Sequence, residues 1–188
     1  MTANYLNSSR KQFEYYKQLG ERTFLQLADQ DLFRAPVKGS NTVAIIVKHL
    51  WGNMMSRWTD FLTSDGEKIW RERDAEFEAD IATREEMMLK WTEGWTALFS
   101  ALDTLNDDNI STTVFIRNQG HTIIEAINRQ LCHYAYHIGQ IVYIGTILKG
   151  EEWESLSIPK GESSTFNTAY FNRPKTNEHF TDRLMKEQ

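Results

Sequence analysis

This sequence of 188 residues contains very little cysteine and very little proline. Its one cysteine, Cys132, excludes an intramolecular disulfide framework, and we expect this thiol to be free and buried. The three prolines, at positions 36, 159 and 174, leave long stretches that can be helical. The longest unbroken apolar runs are far below the roughly 18 to 20 residues that a membrane-spanning helix requires. The sequence therefore predicts neither a membrane partner nor a disulfide-stabilised fold.

The chain also lacks clusters of lysine and arginine, and its formal net charge is −5. A nucleic-acid-binding surface needs such clusters to neutralise phosphates, so we expect no nucleic-acid partner. Five acidic residues lie between positions 72 and 80, and we interpret this run as a solvated face rather than a binding site. The first thirty residues show no basic start, apolar block and small-residue cleavage site. A cytoplasmic protein is expected.

The composition, with 40% hydrophobic and 25% charged residues, is that of an ordinary globular protein. A chain of this length fits a single domain, which we place at residues 1–188. Apolar residues recur at helical spacing in four long segments bounded by turn and capping signals. The predicted helices run from about Asn4 to Gln30, from a cap at Ser40 or Asn41 to about Leu62, from a Thr83–Glu86 capping box to about Leu105, and from a Thr122–Glu125 capping box to about Leu148.

Four long helices without alternating strands favour an all-α fold in the form of an antiparallel four-helix bundle. Residues 111–122, "STTVFIRNQGHT", combine β-branched residues with a turn signal, so an extended segment or a hairpin is expected before the last helix. After Gly150 the chain becomes polar, and we expect an irregular C-terminal segment there.

Two histidines in "HYAYHIGQ", His133 and His137, are the most informative feature of the sequence. Residues four apart lie on one face of a helix, so both imidazoles can bind one divalent cation. A third ligand must come from another helix, and His49, within the apolar stretch "TVAIIVKHLWGNM", is the obvious candidate. Three neutral imidazoles suit zinc, nickel or a similar cation and leave positions open for water or substrate. The alternative is that these histidines bond only to backbone or water within a plain structural bundle.

Other polar residues near this face have two possible roles. Asn53 and Gln140 could hydrogen-bond a ligand, a bound water or a substrate, or could simply be polar residues at the mouth of the bundle. Arg57 could receive an anionic group of a substrate, although a salt bridge to an acidic neighbour is favoured. Tyr134 and Tyr136 are expected to pack beside the ligand face.

Three segments carry a resemblance to a known family: "TVAIIVKHLWGNMMSRWTDFLTSDGEKIWRERDAEFE", "HTIIEAINRQLCHYAYHIGQIVYIG" and "SIPKGESSTFN". Together they resemble the DinB-like superfamily, in particular an uncharacterised bacterial branch related to bacillithiol- and mycothiol-dependent S-transferases. The resemblance implies a four-helix bundle that holds a divalent metal through one histidine of the second helix and two of the fourth. These positions correspond to His49, His133 and His137. Similar proteins form dimers, and the aromatic content of 12% also favours a homodimer.

Three functions remain open at this point. The first is a metal-dependent enzyme for a small-molecule substrate, either a transferase that activates a low-molecular-weight thiol or a hydrolase that activates water. The second is a non-catalytic metal-binding or stress-response protein, whose site would be closed by a fourth protein ligand such as a carboxylate. The third is a structural bundle without metal. No residue beside the histidines selects between thiol transfer and hydrolysis. The open three-ligand pattern favours an enzyme, and the family resemblance implies that its reaction is thiol S-transfer.

Overall fold

The computed structural model describes residues 2–186, and helices dominate it. Helices account for 61% of the residues and strands for 4%, which confirms the all-α class. The antiparallel four-helix bundle stays a prediction. None of the described helices is both long and apolar enough to span a lipid bilayer. The helices are α1 (Thr2–Gln26), α2 (Asp29–Leu32), α3 (Val43–Trp58), α4 (Arg84–Asp103), α5 (Ile123–Lys149), α6 (Ser163–Phe171) and α7 (Phe180–Lys186).

The three long helices for which the sequence predicted a cap, α3, α4 and α5, begin close to the predicted signals. The cap of α3 is Thr42, whose hydroxyl accepts a hydrogen bond from the backbone of Ile45, so the predicted cap at Ser40 or Asn41 is wrong by one or two residues. The predicted box at Thr122 and Glu125 is complete. Helix α3 also ends earlier than expected, at Trp58, because Asp60 has a φ of 48°, which a right-handed helix cannot accommodate.

One aromatic side chain from each long helix meets in the centre of the core. These are Phe13 of α1, Trp58 of α3, Trp95 of α4 and Tyr134 of α5, all of which are almost fully buried. The ring centroids of Phe13 lie 6.4, 6.5 and 5.8 Å from those of Trp58, Trp95 and Tyr134, within the range of favourable aromatic pairing. The cluster therefore packs all four long helices around one centre.

A buried hydrogen-bond chain within this cluster joins α3 to α5. Trp58 Nε1 donates to the Tyr134 hydroxyl over 3.0 Å, and that hydroxyl donates to Asn53 Oδ1 over 3.1 Å. Burial raises the pKa of Tyr134 well above its usual value, against the opposing hydrogen bond from Trp58, so the phenol keeps its proton. Because Tyr134 follows His133 directly, this chain sets the rotation of the α5 segment that carries the candidate ligands.

The hairpin expected before α5 is present. Strands β1 (Thr113–Ile116) and β2 (Gln119–Thr122) pair antiparallel, and both turn residues, Arg117 and Asn118, have positive φ angles, of 54° and 60°. The carboxylate of Asp65 accepts a hydrogen bond from each of their backbone amides, both over 2.8 Å. The hairpin therefore anchors the connection between α3 and α4, which runs through residues 59–83 and includes one 3₁₀ turn, Ala75–Phe77.

The expectation of an irregular C-terminal segment is wrong in part, because α6 and α7 are helices. Helix α7 packs on α1, where Lys11 pairs with Asp182 over 2.6 Å and Ser8 contacts His179 over 2.9 Å. Thr181 is completely buried at this contact. The polar sequence of this segment contains no long apolar stripe. Contacts with α1 therefore stabilise α7 as a helix.

Two helical glycines offer a matched test of this packing. A Cβ atom at Gly20 of α1 would lie 2.6 Å from Cη2 of the buried Trp91 ring, whereas one at Gly139 of α5 would meet nothing within 4 Å. We expect Gly20→Ala to lower the free energy of unfolding by about 1–3 kcal/mol through overpacking. Gly139→Ala should instead raise it by about 0.4–1 kcal/mol, because alanine favours the helix. Urea denaturation measures both, and equal effects of the same sign would contradict the described packing of α1.

Candidate metal centre

The three predicted ligands lie together in the structure. His49 on α3 faces His133 and His137 on α5, and the candidate ligand atoms all lie within 4.8 Å of one another. The Nε2 atom of His133 is 3.4 Å from Nε2 of His49 and 3.0 Å from Nε2 of His137. His49 is only 5% exposed, and the other two are half-buried. Helical spacing thus predicted the pair, and packing of α3 on α5 supplies the third imidazole.

A buried carboxylate orients His49. Nδ1 of His49 donates to Oε2 of Glu76 over 2.8 Å, and Glu76 is 4% exposed. Burial alone would raise the pKa of Glu76, but hydrogen bonds from His49 and Arg71 outweigh it and hold the pKa below its ordinary value. An ionised carboxylate only accepts hydrogen bonds, so the proton of neutral His49 lies on Nδ1. Its Nε2 atom is therefore left with a free lone pair.

Arginine in turn stabilises this carboxylate. Arg71 donates from Nε to Oε1 of Glu76 over 2.7 Å and from Nη2 to Oε2 over 2.9 Å, which is the two-point geometry of a strong ion pair. Arg71 also donates to Glu67 over 3.0 Å. The interpretation of the acidic run at 72–80 as a solvated face is therefore wrong for Glu76, because the 3₁₀ turn at Ala75–Phe77 carries it into the interior against α3.

The other contacts support the same orientation of the imidazoles. Nδ1 of His137 donates to Oε1 of Gln140 over 2.8 Å, so Nε2 of His137 also presents a lone pair. The ring of Phe77 stacks on His49 with a centroid separation of 4.9 Å. Of the two polar candidates, Gln140 thus contacts a ligand directly. Asn53 instead accepts from Tyr134 and lines the adjacent pocket.

The two imidazoles of α5 stay neutral well below physiological pH. Burial lowers the pKa of His133 to about 3, with further contributions from His137 and His49. Burial also lowers the pKa of His137 to about 4, although its hydrogen bond to Gln140 opposes this. Neutral imidazoles are the form that binds metals. The Nε2 lone pairs of His49 and His137 converge on Nε2 of His133, and a cation at this point would accept one lone pair from each ring, so the donor set fits a divalent metal ion.

The histidines open onto a pocket of about 390 Å³. Besides the histidines, its wall contains two amides, two aromatic rings and five guanidinium groups, and none of the described wall residues is Asp or Glu. Its lining residues outside the triad are Asn53, Arg57, Arg71, Arg73, Phe77, Arg117, Arg129, Gln130 and Tyr136. No cysteine or carboxylate joins the three histidines as a fourth ligand among the residues that the structure describes.

The structure also tests the sequence predictions for three residues near the histidines. Arg57 forms the favoured salt bridge, donating to Glu67 over 2.9 Å. Tyr136 is 62% exposed and lines the pocket, and its ring packs edge-on against His137 with a centroid separation of 4.9 Å, in agreement with packing beside the ligand face. Cys132 is exposed, so the expectation of a buried thiol is wrong, because its direction on α5 is about 100° from His133 and away from the core.

A comparison with protein families gives a match over most of the chain. The family model described as "Protein of unknown function (DUF1572)" matches residues 1–162. This family is DinB-like, in agreement with the resemblance noted in the sequence, although the match identifies no branch of a superfamily. Helices α6 and α7 lie outside the matched region. No curated protein and no solved structure matches the chain.

The histidine triad predicts the metal content of variants. We expect one divalent metal per chain in the unmodified protein and strong loss of metal in His133→Ala and His137→Ala, because each variant leaves two of three ligands. Elemental analysis of purified protein measures this, with circular dichroism as a check of folding. His179→Ala is the matched control, since His179 contacts Ser8 and Thr181 away from the triad. Full metal content in both α5 variants would exclude the triad.

The carboxylate behind His49 predicts a separate effect on affinity. Glu76→Gln keeps an oxygen that can accept from His49 but removes the charge that pairs with Arg71. We expect metal affinity to fall by roughly 10- to 100-fold, with one metal per chain still bound at saturation. Competition with a chromophoric chelator measures the affinity. Glu72→Gln, which changes an exposed acid of the same loop, should leave affinity unchanged, and equal affinities for both variants would contradict the role of Glu76.

Proposed function

This chain belongs to the DUF1572 family, and we propose that it is a metal-dependent enzyme that transfers a small thiol to an electrophilic substrate. It holds one divalent cation, zinc or nickel, through His49, His133 and His137. The observation that carries the proposal is the convergence of three imidazole Nε2 atoms at the wall of an open pocket. A site with three protein ligands and one open side is typical of catalytic rather than structural metal centres.

The chain's own residues orient the ligands of this site. Glu76 and Gln140 fix two imidazole tautomers through Nδ1, which directs the Nε2 lone pairs toward a common point. Arg71 keeps Glu76 ionised. A divalent cation, when bound, supplies the chemistry of stabilising the deprotonated form of a thiol at neutral pH, which makes the sulfur a nucleophile. Because all three ligands are neutral, the site favours an anionic partner such as a thiolate.

The composition of the pocket wall supports transfer over hydrolysis. A hydrolase uses a general base near the bound water, often a carboxylate. Two carboxylates bind the residues of this site, and both are already engaged. Glu76 accepts from His49 and Arg71, Glu67 accepts from Arg57 and Arg71, and neither belongs to the described wall of the pocket. A small thiol would release its proton to solvent when a metal stabilises it as the thiolate, so its attack on the electrophile would need no such base.

The open side also separates this proposal from a purely metal-binding role. A closed, non-catalytic site would need a fourth protein ligand. The described residues include no carboxylate or cysteine that joins the three histidines. The side away from the ligands instead borders a pocket large enough for a small molecule.

The proposal also covers the arrangement of the long helices, the oligomeric state and the cellular location. We place the four long helices in an antiparallel DinB-like bundle, which is supported by the aromatic cluster that α1, α3, α4 and α5 share. A homodimer is supported by the exposed apolar side chains of Tyr143 and Ile147 along α5. The cytoplasmic location stays a prediction from the sequence.

Cobalt substitution tests the thiol-transfer proposal. A low-molecular-weight thiol added to cobalt-loaded protein should produce a sulfur-to-metal charge-transfer band, because the deprotonated sulfur enters the open side of the site. The S-methyl thioether of the same compound should produce a much weaker change, since it cannot form a thiolate. Apparent thiol affinity should rise with pH until the pKa of the free thiol is passed.

Two controls make this result specific. The measurement uses a Cys132→Ser background, because the exposed thiol of Cys132 would bind added cobalt at the surface, outside the histidine site, and give a charge-transfer band of its own. The His137→Ala variant in that background should show no band. An unchanged cobalt spectrum across a panel of small thiols would remove the transferase proposal while leaving metal binding intact.

A further inference from the structure

The pocket beside the histidines has a charge opposite to that of the whole chain. The protein carries a formal net charge of −5, yet five of its arginines line this pocket, together with no described Asp or Glu. Arginine prefers carboxylate and phosphate partners because its planar guanidinium group donates two parallel hydrogen bonds to them. A local field of this sign attracts anions into the cleft.

Structural ion pairs account for only part of this arginine charge. Glu67 accepts from Arg57 and Arg71 and lies 3.4 Å from Nη2 of Arg117, so one carboxylate serves three guanidinium groups. Glu76 adds a second carboxylate for Arg71 alone. The guanidinium charge beside the pocket therefore exceeds the carboxylate charge that balances it.

Two arginines of the wall have no ion-pair partner among residues 2–186. Arg73 lies over the ring of Phe77, with its guanidinium carbon 5.5 Å from the ring centroid, which leaves its edge free to donate. Arg129 is exposed, and no described carboxylate lies within ion-pair distance of it. Both side chains are thus available to a ligand that enters the pocket.

Buried polar atoms in the wall also lack partners. Arg57 is 5% exposed, and its Nε atom is buried with no hydrogen-bond partner in the described structure. Gln130 is 3% exposed, and its Oε1 atom is likewise buried and unpaired. Buried polar groups are nearly always hydrogen-bonded, so the missing partner of these two atoms in one pocket wall is a polar ligand or an ordered water.

The sequence spacing places these groups next to the histidines. Arg129 precedes His133 by four residues and lies on the same face of α5, about 6 Å away along the helix axis. Gln130 precedes His133 by three residues, and Arg57 follows His49 by two turns of α3. A small molecule that occupies the pocket can therefore reach both the arginines and the open side of the histidine site.

We propose that this pocket binds small molecules through an anionic carboxylate or phosphoryl group, held by Arg57, Arg73 and Arg129, with Gln130 bonding an adjacent polar group. The proposal deepens the proposed function, because it assigns the substrate to the class of small organic acids or phosphates. The pocket volume of about 390 Å³ suits a small molecule rather than a macromolecular partner.

Anion binding to metal-free protein tests this subsite independently of catalysis. Inorganic phosphate and succinate are each titrated, by calorimetry at low ionic strength, into full-length protein stripped of metal with a chelator. We expect one site per chain for at least one probe, and the tighter probe identifies the class of anion. Affinity should fall as salt is raised, because ions screen the guanidinium charges.

Matched arginine variants locate the binding. Arg73→Gln and Arg129→Gln should each weaken the bound probe by about tenfold or more, the value of one charge-assisted hydrogen bond. Arg34→Gln should have no effect, because Arg34 is an exposed arginine that pairs with Asp31 outside the pocket. Both pocket variants change exposed side chains, so folding should be retained and is verified by circular dichroism.

The outcomes separate this inference from the proposed function. Failure of both probes to bind, or equal binding by the pocket variants and the unmodified protein, would overturn the anion subsite. Anion binding that is weaker in the pocket variants supports the subsite, even if thiols produce no charge-transfer band in the cobalt spectrum. A thiol-induced cobalt band without anion binding would support the transferase proposal but exclude the assignment of its substrate to small organic acids or phosphates.

Discussion

The hydroxyl of Tyr134 is the contact on which the site depends. It bridges α3 and α5 by accepting from Trp58 and donating to Asn53, and it does so at the centre of the aromatic core. A buried phenol must satisfy its hydroxyl, so the two helices cannot rotate or slide without losing these bonds. His49 lies one turn before Asn53, and His133 adjoins Tyr134. The two hydrogen bonds of the buried Tyr134 hydroxyl therefore also set the distance between the candidate ligands on the two helices.

A second constraint comes from charge. His49, Arg71 and Glu76 form a buried network whose members each have a partner, and such networks are stable only when they are complete. Removing the carboxylate would leave the nearly buried guanidinium of Arg71 with Glu67 as its remaining acid, and Glu67 already serves Arg57. The segment between α3 and α4 is thus part of the site. It supplies the acids that balance the arginines and the Phe77 ring that stacks on His49.

The sequence predicted what depends on local periodicity and capping. The long helices, the complete box at Thr122 and the placement of His133 and His137 on one face all follow from spacing, and the structure contains them. Glu76 could not be found this way, because its burial depends on the path of a loop without a repeating pattern. A signal did exist in the alternation of Glu76 with Phe77 inside the acidic run, since an aromatic residue there marks a buried point. The arginine-lined pocket was also missed, because its residues come from α3, α5, the loop and the hairpin, and no stretch of sequence shows them as a cluster.

The acids that pair with the pocket arginines do not themselves line the pocket. Glu67 and Glu76 bind the guanidinium groups but are absent from the pocket wall, so their charge allows arginines to be buried without supplying an acid to the cavity. A buried guanidinium without a partner would be strongly destabilising, and a carboxylate in the wall would repel an anion. Keeping the acids out of the pocket wall meets both requirements. The imidazoles add no negative charge, so the cavity combines lone pairs that suit a cation at the histidines with guanidinium groups that suit an anion beside them.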